Sequence, residues 1–181
     1  PPYQTVVVWP ASDVFFLRDT RRLSMSFVDY LARSGRAVLY PIYEHTYARG
    51  AALGGDVPSA TIEHRDQMRR WITEMRRSID YAFSRADIDT ARLAYVGTSW
   101  GGRIGGTAIA TEPRILNVAG LTACAVRPEE DPVNFLPRIR IPVLMLSGRY
   151  DSVFPYESSQ LPFLRLLGSP SGAKKQVLFE G

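Results

Sequence analysis

Short apolar runs alternate along the chain with longer stretches whose apolar residues recur at helical spacing. Residues 5–9, Thr-Val-Val-Val-Trp, are a β-branched run and predict a buried strand. Leu23, Phe27, Tyr30 and Leu31 then mark one face of a helix expected over 22–34, with Gly35 as its stop. A second buried strand is expected over 37–43, and a long loop over 44–60 follows it. The longest helix is expected over 62–85, where Met68, Trp71, Ile72, Met75, Ile79, Ala82 and Phe83 form a stripe that reads as core. Residues 87–92 lead into a strand over 93–96, and a small-residue helix covers 103–110. Strands over 118–126, 141–146 and 174–179 and a helix over 156–167 complete the pattern. Helices alternating with buried strands imply a parallel sheet covered on both faces. No repeat, low-complexity tract or linker interrupts the series, so the 181 residues read as a single α/β domain.

Candidate chemistry sits at the junction of the strand over 93–96 and the helix after it. There the chain reads Gly97-Thr98-Ser99-Trp100-Gly101, with Gly102 behind. The order is strand, sharp turn and helix, with a serine at the apex. Small residues two before and two after the serine permit a strained turn without a Cβ clash. The helix that starts there aims its first amides at any oxyanion developing on a substrate. The plain alternative is a glycine-rich turn with a structural serine. A second motif follows over 141–155. It is a buried strand entered from Pro142 and left through Gly148, with Asp151 just past its end. Asp151 also has a plain reading, as a turn or capping residue.

With the acid after the serine, these motifs and the element order resemble the α/β-hydrolases. The nearest resemblance is to the dienelactone-hydrolase and prolyl-oligopeptidase-like serine esterases. It implies a mostly parallel sheet with helices on both faces and no large lid, since 127–140 is too short for one. An open or shallow site for small or flexible acyl groups follows. The first strand here corresponds to the third of the family's sheet, so 1–181 is expected to be an incomplete core domain. The implied activity is that of a carboxylesterase acting on small or medium acyl esters through a Ser-His-Asp acyl-enzyme mechanism. Ser99 is its nucleophile and Asp151 its acid.

Two parts of that machinery depart from the family pattern. One oxyanion donor would be the Trp100 amide, and the other comes in relatives from the loop after the first strand. Here that loop is Pro10-Ala11-Ser12, and proline has no amide hydrogen to give. The donor is then Ala11 or Ser12, with Ser12 preferred. The second departure concerns the base. His45 and His64 both precede Ser99, against the family's order. The catalytic histidine is therefore expected just past residue 181, after the closing strand. A non-catalytic hydrolase-like module, His45 as an unorthodox base, and a peptidase of the prolyl-oligopeptidase type stay open as other readings. Tyr43 and His45 in the long loop are expected to wall the substrate pocket. His64 is expected in the first turn of the long helix, on the surface.

Composition narrows the partners. The formal net charge is +4, and nearly every basic residue is arginine. On the long helix the arginines interleave with Asp66, Glu74 and Asp80, the pattern of a solvated, ion-paired face. No nucleic-acid motif accompanies them, and no apolar run is long enough to span a membrane. A small-molecule ester is the expected partner, and no oligomeric state follows from the sequence. Cys124 is the only cysteine, so no intrachain disulfide forms, and its apolar neighbours predict a buried thiol. A reducing cytoplasm is the default compartment. The histidines and acids lack metal-ligand spacing, and residues 101–106 lack a dinucleotide fingerprint, so neither metal nor cofactor is expected.

Overall fold

The computed structural model describes residues 2–23, 26, 28–50, 57–122 and 124–180. Val6, Val7, Val8 and Trp9 give the first strand, β1 (Tyr3–Trp9), two buried faces, as the interior of a parallel sheet demands. The other elements follow in chain order. They are α1 (Asp29–Arg33), β2 (Ala37–Leu39), α2 (Ile62–Phe83), β3 (Ile88–Thr98), α3 (Trp100–Thr111), β4 (Ala119–Thr122), α4 (Pro132–Phe135), β5 (Val143–Gly148), α5 (Leu161–Leu166) and β6 (Lys174–Phe179). All strands pair in parallel, in the order β2-β1-β3-β4-β5-β6. The direction of winding reverses between β1 and β3. Ligands of open α/β sheets bind at such a reversal, outside the carboxyl ends of the strands.

Alternation along the strands divides the core. Val7, Trp9, Leu93, Tyr95, Leu121 and Met145 face α2, α3 and α5, and pack on Trp71, Met75, Ile79, Ile104 and Phe163. Val6 and Val8 face the other way, where Val28 and Leu31 around α1 meet Val38, Ala94 and Val96. Helices therefore cover both faces, but unequally. Farther along the α1 side, Leu144 and Phe179 are exposed. Among the described residues no helix is long and apolar enough to cross a membrane.

Several elements differ from expectation. The helix expected over 22–34 is a 3₁₀ turn, Thr20–Arg22, and the single short α1; Phe27 lies outside the described residues. Ser24, Ser26 and Val28 are weak helix formers, and Val28 enters α1 with a φ of −131°. Tyr30, placed on the apolar face by periodicity, is exposed, while Gly35 ends the segment at φ +83°. The strand expected over 37–43 stops at Leu39 and is only half-buried. It is the sheet edge, and Pro41 has no amide to continue a ladder. The strand expected over 93–96 begins earlier, at Ile88, which already pairs with Tyr3. The helix expected over 156–167 opens with a π-helical turn, Tyr156–Gln160, where Pro162 removes one α-type bond. The long helix and the closing strand form essentially where periodicity put them.

Candidate active site

The site grows from three strand ends. Register places Trp9 beside Gly97 and Gly97 beside Leu121, so the exits of β1, β3 and β4 lie together. Ser99, between β3 and α3, has φ 54° and ψ −107°. That ψ is far from the left-handed well near +47°, so the serine is strained where only glycine is at ease. The flanking glycines make the bend possible. A Cβ on Gly97 would sit 2.2 Å from the Gly101 carbonyl oxygen, and one on Gly101 would sit 2.1 Å from that of Trp9.

Hydrogen bonds fasten the turn. The Ser99 amide donates to the Thr122 carbonyl at 2.9 Å, and Tyr95 Oη donates to the Gly101 carbonyl at 2.7 Å. The Gly101 amide donates to the Pro10 carbonyl at 3.0 Å. Pro10, which has no donor to offer, instead serves as the acceptor that ties the loop after β1 to the first turn of α3. The Trp100 amide, at the helix start, has no hydrogen-bond partner among the described residues. Below it the Trp100 ring is buried against Phe15 at 4.7 Å, Trp71 at 5.0 Å and Trp9 at 5.4 Å between ring centroids. This aromatic block anchors the elbow from beneath.

Ser99 opens into a cleft of about 280 Å³. Ser12, the first residue of a 3₁₀ turn over Ser12–Phe15, forms part of its wall, as do Val57 and Pro58 at the end of the long loop. Val153 and Phe154 close another side. Their amides both donate to Asp151 Oδ1 at 2.9 Å, while Oδ2 has no partner among the described residues. Asp151 thus stands beside the cleft with one oxygen fixed and one left over.

The structure brings Ser99, Trp100, Ser12 and the Asp151 turn together. Ala11 is part of a neighbouring cavity of about 300 Å³ with Asp13, Tyr40, Tyr47 and Thr98, and does not line the Ser99 cleft. Tyr43 and His45 require correction, because neither lines that cleft. Tyr43 is fully buried and stacks on Trp9 at 4.2 Å. Burial also pushes its hydroxyl far above the usual tyrosine range. Glu44 explains the placement. Its amide donates to Glu74 Oε2 at 2.7 Å and its carbonyl accepts from Trp71 Nε1 at 3.0 Å, so α2 holds residues 43–45 against itself. His45 lies by Glu44, with Nε2 3.8 Å from Oε1. His64 is in the first turn of α2, its amide donating to the Thr61 hydroxyl at 3.2 Å. It is half-buried rather than on the surface, in a cavity of about 420 Å³ beneath the 127–140 segment. Cys124 is buried, and burial pushes its thiol up to about 12, which leaves it inert as a nucleophile.

Three charged residues of the cleft escaped the sequence reading. Arg103 lies one helical turn beyond Ser99 on the same face of α3 and pairs with Glu130, both buried. Arg127 and Glu129 come from the segment after β4. The signals were the i, i+4 spacing from Ser99 for Arg103, and for the other two their place beyond the carboxyl end of a central strand.

No protein-family model and no curated protein matches the chain. Solved structures do. Est1E from Butyrivibrio proteoclasticus, with ferulic acid bound, superposes at a TM-score of 0.70 and 15% identity, covering 99% of this chain and 80% of its own. A protein assigned as a dienelactone hydrolase, from Klebsiella pneumoniae subsp. pneumoniae, superposes at 0.71 and 18% identity, covering 99% and 74%. An acylaminoacyl peptidase from Pyrococcus horikoshii superposes at 0.71 and 10% identity, covering 99% of this chain and 32% of its own. With its parallel sheet and strand order, the chain has the α/β-hydrolase fold.

Proposed function

We propose that this protein is a serine hydrolase that cleaves carboxylic esters through an acyl-enzyme. The observation that carries the reading is the backbone of Ser99, a non-glycine residue held at φ 54° and ψ −107° at the mouth of a cleft. Strain of this kind persists where function requires it. Ser99 Oγ attacks the ester carbonyl, and the amides of Trp100 and Ser12 receive the charge that develops on the carbonyl oxygen. The unpartnered Trp100 amide supports that role, and one such donor lowers the barrier by roughly 3 kcal/mol. A base takes the Ser99 proton and returns it to the leaving alcohol; water then releases the acid.

Neither histidine of the chain lines the Ser99 cleft. We assign the base to a histidine following residue 181. The geometry supports this: Phe179 pairs with Gly148, and its carbonyl accepts from the Arg149 amide at 2.8 Å. The exit of β6 therefore runs beside the turn that carries Asp151, whose Oδ2 is left to orient an imidazole. A pre-steady-state assay with p-nitrophenyl acetate tests the reading. The expected result is a stoichiometric burst of p-nitrophenol followed by turnover, both lost in Ser99→Ala. Equal traces for the two proteins would move the assignment to a non-catalytic module of the same fold.

A further inference from the structure

The cavity of about 300 Å³ beside the Ser99 cleft has a chemistry that ester cleavage does not use. It lies at the carboxyl ends of the first three strands, where Ala11 follows β1, Tyr40 follows β2 and Thr98 ends β3. Open α/β sheets take their ligands at such a reversal of winding. Asp13 is the one charged residue in the wall. It is exposed, and its carboxylate forms no ion pair or hydrogen bond with any described residue, although the chain carries an excess of arginine. Tyr40 and Tyr47 stand in the same wall with their hydroxyls 3.1 Å apart, so the two rings meet at their tips. Burial pushes both phenols above the usual tyrosine range, and the Asp13 charge pushes them the same way. Both therefore stay neutral at ordinary pH, and Asp13 leaves the cavity with one negative charge. Tyr47 is also held at φ 50°, a left-handed conformation that a bulky residue seldom adopts. Its amide donates to the Val14 carbonyl at 3.1 Å, which ties the strained residue to the cavity. Strain of this kind gathers at ligand clamps.

We propose that this cavity binds a small quaternary ammonium ion, with Asp13 supplying the countercharge and the Tyr40 and Tyr47 rings the aromatic contact. The negative face of an aromatic ring attracts such a cation, and a nearby carboxylate adds to the attraction. A quaternary nitrogen suits the wall better than a primary one. A primary ammonium brings three N–H donors that each need an acceptor, whereas methyl groups pack on Pro10, Val14 and Leu17. The volume is at the small end for a ligand cavity, which fits a choline-sized ion. The site shares two segments with the Ser99 cleft, since Ser12 and Ser99 follow Ala11 and Thr98 directly. Binding here is nonetheless independent of the hydrolase reading and needs no ester turnover.

Choline and 3,3-dimethylbutan-1-ol have the same shape and differ by the charge. Each is titrated into the wild-type protein at low salt and followed by NMR through the amides of Ala11 and Thr98. Choline is expected to bind about tenfold tighter than the alcohol, and the difference shrinks as salt screens the exposed carboxylate. In Asp13→Asn the two bind equally. The Asp13 side chain holds no hydrogen bond in the fold, so this variant is expected to keep the wild-type circular dichroism. Equal binding of the two probes by the wild type overturns the proposal. So does an absence of saturable choline binding, or choline-induced shifts centred away from Ala11 and Thr98. A preference that survives in folded Asp13→Asn overturns it as well. If that variant does not fold, the wild type decides: a choline preference unchanged at about 1 M salt removes Asp13 from the site and refutes the proposal. The p-nitrophenyl acetate burst reports on Ser99 alone, so failure of either reading leaves the other standing.

Discussion

Gly101→Ala tests the closest approach in the site. Its Cβ would lie 2.1 Å from the Trp9 carbonyl oxygen and 2.7 Å from its carbon, both backbone atoms of a central strand. No rotamer relieves such a clash, so the first turn of α3 must move by about 1.3 Å to restore an ordinary contact of 3.4 Å or more. That movement breaks the Gly101 amide bond to Pro10 and strands a donor near the cleft, costing about 1–3 kcal/mol. Overpacking adds about 1–3 kcal/mol, so the expected loss is about 2–6 kcal/mol. Urea unfolding reads this directly. With a slope near 2 kcal/mol/M, the midpoint falls by about 2 M. Any ester turnover should drop about 100-fold as well, since Ser99 rides on the displaced turn. Gly120→Ala is the matched control. Its Cβ would meet nothing closer than Val96 Cγ2 at 3.5 Å, and its stability should stay within about 1 kcal/mol of wild type. If Gly101→Ala unfolds together with Gly120→Ala and keeps its activity, the packing argument for the elbow is wrong.

Ser99→Gly should abolish the burst and yet stabilise the fold by about 1 kcal/mol, because glycine relieves the strained backbone; a lower melting temperature would contradict the strain. Burial raises the Glu112 carboxyl, but the side-chain and backbone bonds of Arg114, together with Arg76, more than reverse this and hold it below the ordinary glutamate range. A depressed folded value means that its contribution is complete above about pH 4.3, the unfolded value, and drains away as pH falls through the lower folded value. Glu112→Gln should therefore be less stable at neutral pH and lose less stability between about pH 4.5 and 3 in urea titrations; parallel curves would refute the linkage. Cys124 should react with Ellman's reagent only after denaturation, and fast labelling of the native protein would place the thiol elsewhere than in the core.

What could be read from the chain divides along a physical line. The strands were visible because a parallel sheet buried on both faces needs uninterrupted apolar runs. The elbow was visible because backbone atoms as close as Gly101 and Trp9 exclude any Cβ, which leaves glycine as the trace. Residues whose roles depend on distant partners left no such trace. Arg103 and Glu130, or Arg127 and Ser99, meet only once β4 is laid beside β3. Tyr43 shows the same limit in reverse. An aromatic residue entering a long loop reads as a pocket wall, yet Trp9 stacks on it and Glu44 pins its neighbour to α2. Pro10 carries the argument furthest. Along the chain it registers as a lost oxyanion donor. In the fold its carbonyl accepts from Gly101, and that bond sets Ser12, two residues on, in the wall facing Ser99. The missing amide leaves Ser12 as the proposed donor, and the bond that Pro10 can still make fixes where the loop goes.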